Sequence, residues 1–404
     1  MKRVQVAVIG GGAAGLMASY KAAKQGAEVI LLEGNPRPGK KLLATGNGRC
    51  NLTNLRISPE HYHGDVEDAR ELLARYPAEK IMAEFEKMGL LCRADSEGRV
   101  YPNSLQAAAV LQVLWGACEE AGVEIRPDFP VSGIKREQDM LRVTDGKETI
   151  LAERCILASG GKASPKHSKG GGYALAKDLG HTVTPLTPAL VPLKTPMKLC
   201  RSLKGIRCKA KAALYGNGQK LGEESGEVIF GDNQLSGICI FNLSSLLDGK
   251  GPWEAELDLL EQWEIARLLP YWKQLGKNRP ALPADELFSG LLPLRIGQEL
   301  SKLIRITKEK PLAELDEKTL LHAAQTAKSL KIPVTGLGNW ESAQVTAGGV
   351  PLSEIDTKTM ESKQCPGLYL AGELLNIDGD CGGYNLHWAW LTGMAAGEHA
   401  AKGK

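Results

Sequence analysis

Within the first ten positions the polar residues are Lys2, Arg3 and Gln5. From Val4 an apolar run, broken only by Gln5, leads to Ile9 and stops at three glycines. A short apolar run bounded by a turn signal predicts a buried strand. Ala13 to Lys24 reads as a helix, Gly26 closes it, and Glu28 to Glu33 reads as a second strand, so that residues 1–34 form an opening βαβ unit. The pattern predicts helix over 66–90 and an N-capped helix from Ser104 to Gly122, with apolar positions at Ala108, Leu111, Leu114 and Ala117. Val123–Ile125 starts another strand, Pro130–Ile134 and Leu141–Val143 suggest an antiparallel excursion, and Arg154–Gly161 returns as a strand ending in small residues.

The character then changes. Pro185, Pro188, Pro192 and Pro196 mark a crossing between domains, and β-like runs from Cys208 to Phe241 surround a turn at Gly216–Gly218. Helices are expected at 261–276, 285–305 and 316–331. From Gln344–Gly349 the chain rejoins the first domain, with a strand at Gly367–Glu373, a glycine-rich turn at Gly379–Gly383 and a closing helix to about Ala401. The expected fold class is α/β: a Rossmann-type dinucleotide-binding domain split in sequence by one insertion. Its parts are 1–189 and 344–404, with 190–343 inserted, β-rich over 190–260 and helical over 261–335.

The turn after the first strand reads G-x-G-x-x-G. Gly10 permits the tight turn, Gly12 lets backbone approach a pyrophosphate, and Gly15 lets the helix pack on the strand. Ala13 and Ala14 open that helix, whose N-terminus favours phosphate. Glu33 lies eighteen residues beyond Gly15 and is followed by Gly34, placing a carboxylate where ribose hydroxyls are bound. The motif does not separate NAD from FAD, but the C-terminal return does. A strand leading to Gly372 and Glu373, then a helix opened by Gly383, Tyr384, Asn385 and Leu386, suits a long cofactor with a distant isoalloxazine. The helix dipole would favour negative charge on the reduced ring.

Fifty basic and 47 acidic residues give a net charge of +3, which argues against a nucleic-acid partner. Nine scattered cysteines without a C-x-x-C pair point to reduced thiols in a cytoplasmic protein. The first strand begins at once, leaving no signal peptide, and no apolar run approaches the ~20 residues of a membrane span. No metal-ligand spacing is present among the seven histidines.

Between the first two predicted helices lies Gly39–Asn54, a polar, glycine-punctuated loop. Lys40, Lys41 and Arg49, beside Gly46, Asn47 and Gly48, are expected to line phosphate or flavin. Thr45, Asn47 and Asn51 offer neutral groups for reading isoalloxazine edges. Ser159 and Gly160, ending the returning strand, and Val131, through its backbone, complete the expected cofactor set. Cys50 and Cys381 are read as packing residues, as are His387, Trp388 and Trp390. No residue stands out as a catalytic acid or base.

Three blocks, Gly39–Asn54, Val345–Val350 and Gly367–Leu391, together with the N-terminal glycine motif, resemble the BaiN-like, aminoacetone-oxidase-related family of FAD-binding, NAD(P)/FAD-dependent oxidoreductases. The resemblance implies noncovalent FAD, an insertion with a β-barrel-like and a helical part, and a cleft for a small-molecule substrate between insertion and flavin domain. Members commonly carry a Thr-His pair where this chain reads Phe230–Gly237, so any role of that pair does not transfer. The resemblance accommodates hydride transfer from NAD(P)H to an organic acceptor and, alternatively, an amine oxidase that makes peroxide. With one G-x-G-x-x-G, a nicotinamide would visit the flavin transiently. An RNA-associated flavoprotein is a third reading, against which the charge counts. Oligomeric state is left open.

Overall fold

The computed structural model describes residues 2–166, 168, 170–247 and 251–402. The chain divides into two compact units, one made of 1–189 with 340–404 and the other of 190–339.

The first unit is built on five parallel strands: β1 (Lys2–Ile9), β2 (Val29–Leu32), β3 (Glu124–Arg126), β4 (Thr149–Leu157) and β5 (Leu368–Leu370). Their spatial order is 3-2-1-4-5, the arrangement of a dinucleotide-binding sheet. Strand β2 is buried at every position, as expected for a parallel strand covered on both faces. The excursion Gly133–Glu137 and Met140–Thr144 pairs antiparallel onto the first half of β4. Helix α1 (Ala13–Lys24) and the final helix, α3 (Tyr384–Ala400), lie against each other closely. A Cβ at Gly393 would come 2.5 Å from the Ala14 carbonyl oxygen, and one at Gly397 2.3 Å from that of Ala18. The first and last elements of the chain thus share one core.

Local chemistry shifts several predicted boundaries. Pro77 divides the helix expected over 66–90 into Val66–Arg75 and Ala78–Lys87, because proline and its predecessor resist helix continuation. Helix α2 spans Ala107–Glu120 and is not capped by Ser104, since Leu105 takes a left-handed φ of +56° and Gln106 becomes the cap. The stretch expected to be a loop from Gly39 contains a helical turn, Lys40–Ala44, and then a kinked 3₁₀ turn, Thr45–Gly48.

Among its described residues the second unit holds a seven-stranded antiparallel sheet and five helices around its own core. Arg207–Gly216 and Gln219–Gly231 form a hairpin whose two turn residues, Asn217 and Gly218, both have positive φ, as a tight two-residue connection requires. The helices are Lys198–Ser202, Ile238–Ser244, Ile265–Asn278, Leu294–Leu303 and Glu317–Lys328. The expectation of helix from 285 fails because Pro293 sets the true start, and the helical stretch ends early because Leu330–Val334 is a strand. That strand and Gly336–Leu337 occupy opposite ends of the sheet although one residue separates them. At ~3.5 Å of reach per residue, this forces the sheet to curl back on itself.

Candidate functional site

The carboxyl end of β1 meets the start of α1 in the glycine loop. Gly10 has a φ of +103°, and a Cβ there would lie 2.6 Å from the Ala158 carbonyl oxygen at the end of β4. A Cβ at Gly15 would lie 1.8 Å from the Gly10 oxygen. Both glycines are therefore demanded by the protein's own packing. Gly12, at the N-cap of α1, differs: a Cβ there meets nothing within 4 Å. Its α-carbon faces open space beside the N–H groups of Ala13 and Ala14, in the first turn of a helix that no side chain caps.

Glu33 is 8% exposed, and both oxygens are engaged. Oε2 accepts from the Gly11 N–H at 2.7 Å, while Oε1 accepts from the Asn35 N–H at 2.7 Å and its side-chain amide at 2.6 Å. The carboxylate is thereby fixed against the glycine loop. A Cβ at Gly34 would sit 3.4 Å from the Pro130 α-carbon, and Phe129 N–H donates to the Glu33 carbonyl, so the segment leading to Val131 runs alongside. Replacing Glu33 with Ala should weaken FAD binding by about 1–3 kcal/mol, the worth of a charge-assisted hydrogen bond. Flavin-fluorescence titration giving the wild-type affinity would remove Glu33 from the site.

A second constellation joins four distant segments. The Lys41 ammonium pairs with Glu373 Oε2, and Glu373 Oε1 accepts from the Thr346 N–H at 2.9 Å. Thr346 Oγ1 accepts from the N–H groups of Lys162 and Ala163 at 2.8 and 3.0 Å. Gly161 lies beneath, where a Cβ would come within 2.5 Å of both Glu373 and Thr346. Lys41 is thus committed to a carboxylate, while Lys40 makes no such pairing among the described contacts. The sequence reading passed over Thr346 and Gly161 as site residues; the only signal was the block Val345–Val350. Gly372 is clamped by Thr392 Oγ1 on its N–H and by Trp388 Nε1 on its carbonyl, beside Ala14 of α1. This brings Gly372 and Glu373 to the glycine loop. Ser159 and Gly160 are there too, because a Cβ on Gly10 would also touch the Ser159 α-carbon at 2.7 Å.

At the head of α3, Gly383 has a φ of +104°, and a Cβ there would collide with the Thr53 carbonyl at 2.5 Å and approach Asn51 Oδ1 at 2.8 Å. Asn51 therefore lies against the N-terminus of α3. Asn385 is bound to the backbone of Gly379, accepting at 2.9 Å and donating at 2.6 Å, which pins the turn and leaves the helix N-terminus to the backbone N–H groups. The Tyr384 ring packs on His61 and Tyr62, and Leu386 packs on the core. Of the Gly39–Asn54 block, Gly46, Asn47, Gly48 and Arg49 are exposed, and the Arg49 guanidinium lies over the Tyr101 ring. Thr45 Oγ1 donates to the Leu42 carbonyl at 2.6 Å, so its hydroxyl proton is spent on the local turn. Burial pushes the Cys50 thiol up to about 12 and that of Cys381 up to about 11, so neither is an activated thiolate. Burial holds the His387 imidazole down to about 3, with Nδ1 2.8 Å from Thr53 Oγ1.

The donor set fits FAD. Among the described residues, Asn51 Oδ1, Ser159 Oγ and His387 Nε2 are buried side-chain atoms without a hydrogen-bond partner. Asn51 Oδ1 lies at the N-terminus of α3, whereas Ser159 Oγ faces Gly172, where a Cβ would come 1.8 Å from it. Buried polar atoms are normally paired, so the Asn51 orphan beside a helix N-terminus that no side chain caps fits a ligand's contact point. The pyrimidine N–H of an isoalloxazine suits it. No cluster of metal-ligating side chains occurs among the described residues.

The sequence profile of the HI0933-like protein Rossmann domain matches residues 4–399. The chain belongs to this family of FAD-dependent oxidoreductases. A relative of the HI0933-like chain in Clostridium scindens, named 3-dehydro-bile acid delta(4,6)-reductase, is 36% identical over 98% of this chain and 99% of its own length. A ribosomal RNA dihydrouridine synthase of Escherichia coli is 28% identical, covering 98% of each chain. Among solved structures, 3-ketosteroid-delta4-(5alpha)-dehydrogenase from Rhodococcus jostii RHA1 superposes with a TM-score of 0.54 at 15% identity, over 100% of this chain and 97% of the other, which shows the shared fold. Like that fold, the HI0933-like chain is a mixed α/β flavoenzyme with a Rossmann-type FAD-binding domain. No helix among its described residues is long and apolar enough to cross a membrane.

Proposed function

We propose that this protein is a reductase of ring carbon–carbon double bonds conjugated to a carbonyl, working through noncovalent FAD that NAD(P)H reduces. One observation carries the reading. Relatives matching nearly the whole chain bear two different substrate names, a bile acid and a ribosomal RNA, yet both names describe hydrogen added across such a double bond. What is common to them is the chemistry, and the higher identity favours a small molecule. In this reading residues 1–189 and 344–404 bind FAD and 190–343 faces the substrate, in a cytoplasmic protein.

FAD held by these residues supplies a hydride acceptor and donor in one site. The glycine loop and the N-terminus of α1 bind its pyrophosphate, with Gly12 providing room and Glu33 holding the ribose. Lys41, Glu373 and Thr346 fix the loop around Gly161, so that Ser159 and Gly160 keep their backbone turned to the cofactor. Asn51 and the first N–H groups of α3 orient the pyrimidine edge and favour negative charge there.

The test is anaerobic mixing of the yellow protein with NADH or NADPH while flavin absorbance is followed, then addition of cyclohexenone, of a uridine-containing ribosomal RNA fragment, or of oxygen. Bleaching by nicotinamide and recovery with the enone are expected. Recovery only with RNA would favour the nucleic-acid substrate that the dihydrouridine synthase relatives suggest. Rapid recovery with oxygen and stoichiometric peroxide, with neither organic acceptor reacting, would replace the reductase by an oxidase.

A further inference from the structure

One cluster of titratable groups beside the flavin groove is used by nothing described so far. Tyr62–Gly64 pairs antiparallel with Ile377–Gly379, setting His63 opposite Asp378. The chain turns at Asp380, whose N–H donates to the His61 carbonyl at 2.9 Å. The Asp380 carboxylate then receives two imidazoles, one on each oxygen: His61 Nδ1 at 2.9 Å and His63 Nε2 at 3.2 Å. The His61 ring stacks on Tyr384, the first residue of α3, with centroids 4.4 Å apart. Tyr62 donates its hydroxyl to the Tyr384 carbonyl at 3.2 Å, and Asn385 also reaches the Asp380 carbonyl at 3.3 Å. The cluster is therefore built onto the helix end proposed to face the isoalloxazine.

Two features separate this arrangement from a simple structural tie. Fastening the turn needs one imidazole, whereas two share this carboxylate. Their side chains are 35% and 39% exposed while Asp380 is 17% exposed, so the carboxylate is sheltered and both rings remain open to water. Each ring bonds the carboxylate through one nitrogen, His61 through Nδ1 and His63 through Nε2.

We propose that the His61–Asp380–His63 cluster is the proton reserve of the reduction, supplying the proton that accompanies each hydride. The inference rests on the double-bond reading above. FAD held there would supply the hydride, with its electron pair, at the carbon remote from the carbonyl, and the π electrons of the double bond would then form an enolate. The enolate then needs one proton. An imidazolium N–H breaks with its electrons left on nitrogen, the proton forms the new C–H bond directly or through water, and solvent recharges the ring. Asp380 is a positioning residue that holds both rings at the head of α3.

The surrounding charges agree with this role. The hydrogen bond that His63 donates to Asp380 raises the His63 pKa, helped by the charges of Asp378 and Asp380 and opposed by burial. Asp380, despite burial, is kept below the usual carboxylate range by His61 and His63. Burial pushes Asp378 up to about 6, with Glu373 and Asp380 adding to the shift and His63 opposing it. Tyr62 is raised by burial and the neighbouring Tyr384 and Asp380, and burial raises Cys381, with the Arg99 charge opposing and that of Asp380 adding. His63 carries its donor form at low pH and loses it as pH rises through its raised pKa, so proton supply falls with increasing pH.

The experiment compares FAD-loaded wild type, Asp380→Asn and the double variant His61→Gln/His63→Gln. Flavin reduction by the nicotinamide, reoxidation by cyclohexenone, and the flavin midpoint potential are each measured across the neutral pH range. In the double variant, reduction should proceed as in wild type while reoxidation slows about 100-fold or more, the usual share of a general acid. The wild-type decline of reoxidation with rising pH should vanish, and added imidazole should restore part of the rate. Asp380→Asn should shift that decline to lower pH. Wild-type reoxidation rates and pH profile in the double variant would overturn the proposal, as would equal slowing at all pH values without imidazole rescue. Should wild type reduce neither the enone nor the uridine-containing RNA fragment, the double-bond reading falls. The cluster is then read from the potentials: a bend in the wild-type potential–pH curve that the double variant lacks keeps its proton coupling to the flavin, and superimposable curves reject it.

Discussion

Gly12→Val yields a folded protein with no bound flavin. The α-carbon of Gly12 faces open space, so the new Cβ meets no protein atom within 4 Å. Its φ of −82° and ψ of −169° are extended values that valine adopts readily. The fold should lose only about 1 kcal/mol, because valine is a poorer N-cap than glycine. The space it enters is that of the pyrophosphate, and no rotamer of a β-branched side chain clears it. Gly15→Val is the contrasting variant. Its Cβ would stand 1.8 Å from the Gly10 oxygen, so helix and strand must separate and the chain should fail to fold. Circular dichroism and flavin fluorescence distinguish the outcomes. Wild-type FAD affinity in folded Gly12→Val would place the pyrophosphate elsewhere.

Removing residues 190–339 and joining Ala189 to Trp340 through a short flexible linker should leave a core that binds FAD and reduces nothing. Every proposed cofactor residue lies in the remaining unit, and its hydrophobic core is distinct from that of the excised one. The ends are already near each other, since Thr187–Ala189 pairs antiparallel with Val345–Ala347. FAD content and enone turnover of the soluble core are the measurements. A soluble core without FAD would move part of the cofactor site into the excised unit. A core with full turnover would show that the insertion has another job.

These two predictions differ in how much of them the sequence supplied. Gly10, Gly12 and Gly15 were assigned separate tasks from their spacing, and the structure gives the outer two steric necessity while leaving Gly12 open. Such turns are legible because backbone conformation and close approach act over a few residues. The same local logic explains where boundaries were misplaced. Pro77 and Pro293 lie inside apolar patterns that continue past them, and periodicity alone outvoted the ring's restriction on the backbone. Leu330–Val334 was absorbed into a predicted helix because its strand character comes from pairing with Trp253–Asp258, far away in sequence.

By itself the sequence determined the opening strand–glycine–helix unit, the carboxylate that ends β2, the return of the chain through Gly372 to a glycine-opened helix, and the family. Tertiary structure decided which of the charged residues are already spoken for. Lys41, a candidate for phosphate, pairs with Glu373 across 332 residues, and Arg49 lies on Tyr101. The same closure brought Asp380 to His61 across 319 residues and left Asn51 and Ser159 with unpaired buried atoms. The physical reason is range. Turn and helix signals depend on neighbours along the chain, whereas a charge takes its partner, and a polar atom its burial, from whatever the packed sheet and the last helix bring beside it.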